Sequence, residues 1–128
     1  MTLRLEHVLV PAHDQRAGAR FLADLLGLEV TGESSGSPDA HFAVVRVGDV
    51  TLDYATTERF DPHHYAFAVD DGTFDAVLGR VRDAGLEYSA DPLHERPGTL
   101  NANNGGRGFY VRDPDSHNLE FLTRPITG

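Results

Sequence analysis

Apolar positions change period along this chain, and the changes mark out its elements. Leu3 to Val10 reads as a strand and Pro11-Ala12-His13-Asp14 as the turn that follows. Asp14 then caps a helix running to about Leu26, with Phe21, Leu22, Leu25 and Leu26 as its apolar stripe and Gly27 as its stop. Glu29 to Glu33 reads as a short strand and Ser34 to Asp39 as a polar loop. His41 to Val47 and Val50 to Ala55 form a hairpin turning at Gly48-Asp49. The same order then recurs. His64 to Val69 is a strand, and Asp70-Asp71-Gly72-Thr73 lead into a helix with Phe74, Val77, Leu78 and Val81 at i, i+3, i+4 and i+7. Gly85 ends it. Glu87 to Ser89, Gly108 to Arg112 and Asn118 to Thr123 are strands, the last two joined by an Asp113-Pro114-Asp115-Ser116 turn.

The pattern predicts an α+β chain of two βαβββ modules, about residues 1–57 and 62–126, linked through Thr56 to Pro62. At 128 residues the two modules share one domain. The duplication extends to chemistry. His7 precedes Gly27-Leu28-Glu29 by twenty residues, and His64 precedes Gly85-Leu86-Glu87 by twenty-one. Each copy ends in a carboxylate between apolar neighbours, Leu52-Asp53-Tyr54 and Leu119-Glu120-Phe121. The second copy is longer before its carboxylate, mostly across Asp91 to Arg107, rich in Pro, Asn and Gly. Irregular stretches of that length tend to be lids or binding loops, so this one is expected to close over a site.

Side chains alternate across a strand. His64 therefore shares a face with Ala66 and Ala68, Glu120 with Asn118 and Leu122, and Asp53 with Thr51 and Ala55. The bulky residues lie opposite, which suits a sheet with helices on one side and a ligand cavity on the other. His7 is less clear, because Leu3, Leu5 and Leu9 share its face. Tyr110 is placed to turn a phenol toward the same cavity as Glu120.

Composition narrows the chemistry. The formal net charge is −9 and all eleven basic residues are Arg. Without dense basic patches, nucleic acid and membrane surfaces are poor partners, and without Lys there is no Schiff-base chemistry. The absence of Cys removes disulfides, thiolate metal sites and a thiol nucleophile. No apolar run reaches membrane-spanning length, so a cytoplasmic protein is expected. Any metal would be held by nitrogen and oxygen. His13, His41, His63, His94 and His117 fall in turns or at strand ends and read as surface residues, with His63 and His94 the leading exceptions.

Three segments carry a family resemblance across nearly the whole chain: Leu5-Glu6-His7-Val8, His63-His64-Tyr65-Ala66-Phe67, and Phe109 through Glu120 with its Asp113-Pro114 turn. They resemble the vicinal oxygen chelate superfamily, which includes glyoxalase I, extradiol dioxygenases, fosfomycin-inactivating thiol transferases and bleomycin-sequestering proteins. The resemblance implies a cup-shaped mixed sheet with helices on its outer face, usually in a homodimer, around a divalent metal. It implies His7, His64 and Glu120 as ligands, with Asp53 where glyoxalase I has a fourth, Glu, ligand. Tyr110 is the candidate catalytic residue. Arg107 and Asn104, in the long second-module loop, are candidate substrate-binding residues.

Two imidazoles and a carboxylate suit Fe(II) and oxygen chemistry, and equally Mn, Ni or Zn as a Lewis acid. The expected protein is a metal-dependent enzyme on a small oxygen-rich substrate, oxygenase or dioxygenase chemistry being slightly preferred. The alternatives are a glyoxalase-like isomerase, a thiol transferase and a drug- or metabolite-sequestering protein without catalysis. Ser116 departs from the dioxygenase signature, and so does the lack of a His shortly before Phe109. The phosphonate-binding Lys of the fosfomycin enzymes has no counterpart except Arg107.

Overall fold

A computed structural model describes residues 1–32 and 41–124. The chain divides into two compact units, Met1–Asp61 and Pro62–Gly128. In the first, β1 (His7–Ala12) is followed by α1 (Gln15–Leu26), β2 (Val30–Gly32), β3 (Ala43–Val47) and β4 (Val50–Thr56). The strands lie in the order β1-β4-β3-β2, with β1 parallel to β4 and the other pairs antiparallel. The second unit repeats this with β5 (His64–Ala68), α2 (Asp71–Asp83), β6 (Tyr88–Ser89), β7 (Gly108–Arg112) and β8 (Asn118–Leu122), in the order β5-β8-β7-β6. The architecture is the expected α+β pair of βαβββ modules. Glu33 and the polar loop expected at Ser34 to Asp39 lie outside the described residues.

β1 begins four residues later than its apolar pattern predicts. His7 pairs with Thr51, and β4 starts at Val50, so Leu3 to Leu5 have no strand beside them on that side. The strand continues through Pro11 because β1 is an edge, where a missing N–H does not break the sheet. Asp14 caps α1 by accepting from the Arg16 and Ala17 N–H groups, and Gly27 closes it in the left-handed conformation, φ 70°. The buried stripe of α1 differs from the expected one. It runs along Gly18, Ala19, Leu22, Ala23 and Leu25, while Phe21 and Leu26 are only partly covered. A Cβ on Gly18 would meet the Tyr54 ring at 2.9 Å, so the small residues let α1 settle onto β4.

In the second unit Phe74, Val77, Leu78 and Val81 are buried along α2, as their spacing predicts. Phe74 meets Phe109 edge to face, and Phe109, Phe121 and Phe67 continue the aromatic layer behind the sheet. Odd positions of β5, β7 and β8 thus serve the core, and even positions turn to the other face. Asp70 caps α2, Arg80 and Arg82 fall in its last turn, and Gly85 (φ 68°) follows it. Among the described residues no helix is long and apolar enough to cross a membrane.

Candidate functional site

The parallel pairing of the first and last strands places each histidine beside its carboxylate. On β5 and β8, His64 pairs with Asn118 and Ala66 with Glu120, so Glu120 lies two residues along from the histidine's neighbour. On β1 and β4, His7 pairs with Thr51 and Leu9 with Asp53, the same offset. One topology therefore builds the same histidine–carboxylate juxtaposition twice.

The second-unit pair is in contact. His64 Nε2 lies 3.0 Å from Glu120 Oε1, with Glu120 buried and His64 half-exposed. Tyr110 pairs with Glu120 across β7 and β8, and its ring meets the His64 ring edge-on at 5.7 Å. Burial, then the Glu120 charge and hydrogen bond, push the Tyr110 phenol up to about 12. At neutral pH Tyr110 is consequently a neutral hydroxyl donor beside a carboxylate. His64, Glu120 and Tyr110 are brought together.

The first-unit pair is arranged differently. The His7 imidazole is hydrogen-bonded through Nδ1 to the Glu6 carboxylate, which raises the affinity of His7 for its proton, with Asp53 adding to the effect. A carboxylate on Nδ1 leaves Nε2 as the nitrogen a neutral ring can offer to a metal. Asp53 Oδ1 is buried and has no hydrogen-bond partner among the described residues. An orphaned carboxylate oxygen of this kind costs about 1–3 kcal/mol unless something positive or donating satisfies it. Among the described residues no three His, Asp or Glu side chains converge closely enough to form a metal cage. The candidate donors stand as two pairs, one per unit, and a set of imidazoles and carboxylates with one oxygen orphaned fits a divalent ion.

The substrate-binding candidates lie elsewhere. Arg107 immediately precedes β7 and turns to the helix side, where it pairs with Asp71 (3.0 Å) and Asp75 (2.8 Å) and stacks over Phe74. Such exposed pairs add little to stability, but they occupy the guanidinium. Asn104 is exposed in a single 3-10 turn, Asn103–Gly105, with φ 58°. Among the described residues no hydrogen bond, ion pair or ring contact joins either to His64.

Residues 4–121 match the family model of the Glyoxalase/Bleomycin resistance protein/Dioxygenase superfamily. The chain belongs to that superfamily. Its fold agrees over 100% of its length with the solved structure of Oxidase ChaP-H2, covering 98% of that chain at 50% identity and a TM-score of 0.90. Oxidase ChaP-H1 is similar at 49% identity and a TM-score of 0.89, with 99% of this chain and 100% of that one covered. The glutathione transferase FosA of Serratia marcescens is 27% identical over 94% of this chain and 81% of its own.

One histidine escaped the local pattern of this superfamily member. His117, read as a surface residue, is fully buried: its Nδ1 accepts from the His63 N–H at 2.7 Å, while the His63 carbonyl accepts from the Asn118 N–H. Asp113 accepts the N–H groups of Asp115 and His117 and is itself buried, which raises its pKa. This turn, with Ser116 at φ 66°, splices the start of β5 to the start of β8 and sets His64 opposite Asn118. His94, set apart in the sequence as an exception, is partly covered. It leaves the long loop to reach Asn118, a contact across 24 residues that no spacing announces.

Proposed function

We propose that this chain is a divalent-metal-dependent oxidoreductase of its superfamily, acting on a small molecule with two neighbouring oxygens. The observation that carries the reading is the duplicated register that sets His7 near Asp53 and His64 against Glu120. His7, His64 and Glu120 would hold the metal, with Asp53 as a fourth, weaker or water-mediated donor. Two relatives near half identity are oxidases, which favours oxidation over the isomerase and transferase alternatives. Arg107, spent on α2, also makes a poor substitute for a phosphonate-binding Lys.

When bound, the metal supplies Lewis acidity toward both substrate oxygens and, if it is iron, a one-electron couple. The protein does the rest. Glu120 and Asp53 offset the cation's charge. Tyr110, neutral and buried, donates a hydrogen bond toward negative charge developing on substrate oxygen. Glu6 holds the His7 ring in one orientation.

We further propose a homodimer. β1 and β5 are both sheet edges, and Leu3, Leu5 and Leu9 stand 83%, 61% and 58% exposed in the row that includes His7. Metal analysis of protein purified without chelators, followed by aerobic turnover of catechols, quinols and hydroxyketones, tests the enzymatic reading. Metal-dependent oxygen consumption is expected. Ligand binding that neither needs metal nor changes in His64→Ala would instead identify a sequestering protein.

A further inference from the structure

The segment between β6 and β7 is held unevenly. Its first part is densely bonded: the Asp91 carboxylate accepts from the Ser89 hydroxyl at 2.6 Å and from the N–H groups of Glu95 and Arg96 at 2.9 Å. Asn118 then ties it to β8, accepting from His94 at 2.9 Å and donating through Nδ2 to the Pro92 carbonyl at 2.9 Å. Further along, Asn101 and Gly108 exchange two backbone hydrogen bonds, 2.9 and 3.1 Å, and close a small turn whose tip is Asn103–Gly105. That tip rests on two backbone bonds, from the Gly105 N–H to the Ala102 carbonyl at 3.2 Å and from the Gly106 N–H to the Asn103 carbonyl at 3.0 Å.

The chain has four asparagines, and their surroundings give them different chemistry. The Asn101 side chain is bonded at both ends, Nδ2 to the Ala90 carbonyl at 2.8 Å and Oδ1 to the Asn103 N–H at 3.1 Å. Asn118 is bonded at both ends as well, and it lies in a strand. Asn103 has an exposed amide, but the residue after it carries a side chain. Asn104 is exposed, its amide has no hydrogen-bond partner among the described residues, and Gly105 follows it. A glycine nitrogen has no neighbouring Cβ to hinder its approach to the Asn104 Cγ. The space around it is open too, since a Cβ built on Gly105 meets no atom within 4 Å. The attack requires the Asn104 peptide to rotate from its present ψ of 23°, which breaks the 3.2 Å bond to Ala102.

We propose that Asn104 is a self-modifying site, at which the chain converts its own side-chain amide to an acid and, in part of the molecules, reroutes its backbone through that side chain. The deprotonated Gly105 nitrogen attacks Asn104 Cγ. The N–Cγ bond forms, the Cγ–Nδ2 bond breaks, and the amide nitrogen leaves as ammonia, gaining through water the proton that Gly105 lost. Water then opens the five-membered imide, at Cγ to give an aspartyl residue or at the backbone carbonyl to give a β-aspartyl linkage. Nothing is oxidised or reduced, and the step needs water and no metal. Both products add one negative charge. The β-linked one also inserts a methylene into the turn that ends at Gly108, the residue that opens the strand carrying Tyr110.

The test is to incubate the full-length protein for days at mildly alkaline pH, beside a synthetic peptide of residues 101–108, and to follow both by peptide mass mapping with fragmentation that separates aspartyl from β-aspartyl products. The amide-to-acid mass gain should fall on Asn104, yield both products, and rise in rate in proportion to hydroxide. One ordinary hydrogen bond restrains the attack, so the folded chain should lag the peptide by no more than about tenfold. Asn104→Gln should lose the gain at this position, because its extra methylene demands a less favourable six-membered ring. A longer lag means that the turn locks the amide away and overturns the proposal. So does a gain that falls first on Asn101, Asn103 or Asn118, or one whose rate is unchanged in Asn104→Gln.

Discussion

At the scale of single residues, the four proposed metal donors are not equivalent. Glu120 is buried and already touches His64, so replacing either with Ala leaves the cation short of donors and should weaken divalent metal binding at least tenfold in calorimetric titration. Asp53→Asn should do less. It keeps the shape and an oxygen acceptor, and Asp53 Oδ1 has no partner among the described residues to lose. Complete loss of binding in Asp53→Asn would turn the site into a two-histidine, two-carboxylate one and move the chemistry toward a glyoxalase-like Lewis acid. Tyr110→Phe removes only a neutral hydroxyl, since its phenol is held near 12. Metal affinity should therefore survive while kcat falls, and a fall in metal content would instead make Tyr110 part of the metal's support.

At the scale of elements, local pattern carried most of the fold and little of what positions the site. Helix caps, stops and strand parity are properties of neighbours in sequence, and Asp14, Gly27, Asp70 and the α2 stripe lie where their spacing puts them. The face of α1 did not follow, because which small residues a helix buries depends on the ring it meets, and Tyr54 lies 36 residues from Gly18. This makes Gly18→Ala a sharp test. In a free helix the change favours folding by up to about 1 kcal/mol, but here the new Cβ would lie 2.9 Å from the Tyr54 ring. We expect a net loss of about 1–3 kcal/mol in urea denaturation, and a gain would mean that α1 can lift from β4. The loop before β7 owes its shape to Asp91, whose folded pKa of about 2 is depressed from its ordinary 3.8. Its contribution is therefore complete above about 3.8 and lost as pH falls through about 2. Asp91→Ala should be less stable than wild type at pH 7, and the gap should close between those values. A gap that stays constant down to pH 2 would show that the carboxylate is not what holds the loop.

At the scale of the whole molecule, the duplication visible in sequence is repeated in register, since β1 and β4 pair with the same offset as β5 and β8. Contacts such as His117 to His63 join residues 54 apart and depend on that parallel pairing, so they became visible only once the strands were ordered. The same ordering leaves β1 as an edge with Leu3 and Leu5 exposed, which argues that a second copy covers them. A stable pair buries about 1,200–2,000 Å² in total, and exposed Leu side chains on an edge are a ready contribution to it. Wild type should sediment as a dimer. The double variant Leu3→Ser, Leu5→Ser should shift toward monomer with little change in intrinsic fold, because both side chains are mostly exposed. Metal content then decides where the ligands come from: if zinc is lost together with the dimer, each site draws on both copies, and if the monomer keeps one ion per chain, a single copy suffices. A wild type that stays monomeric throughout the working concentration range would remove the dimer from this account and leave the two histidine–carboxylate pairs to one chain.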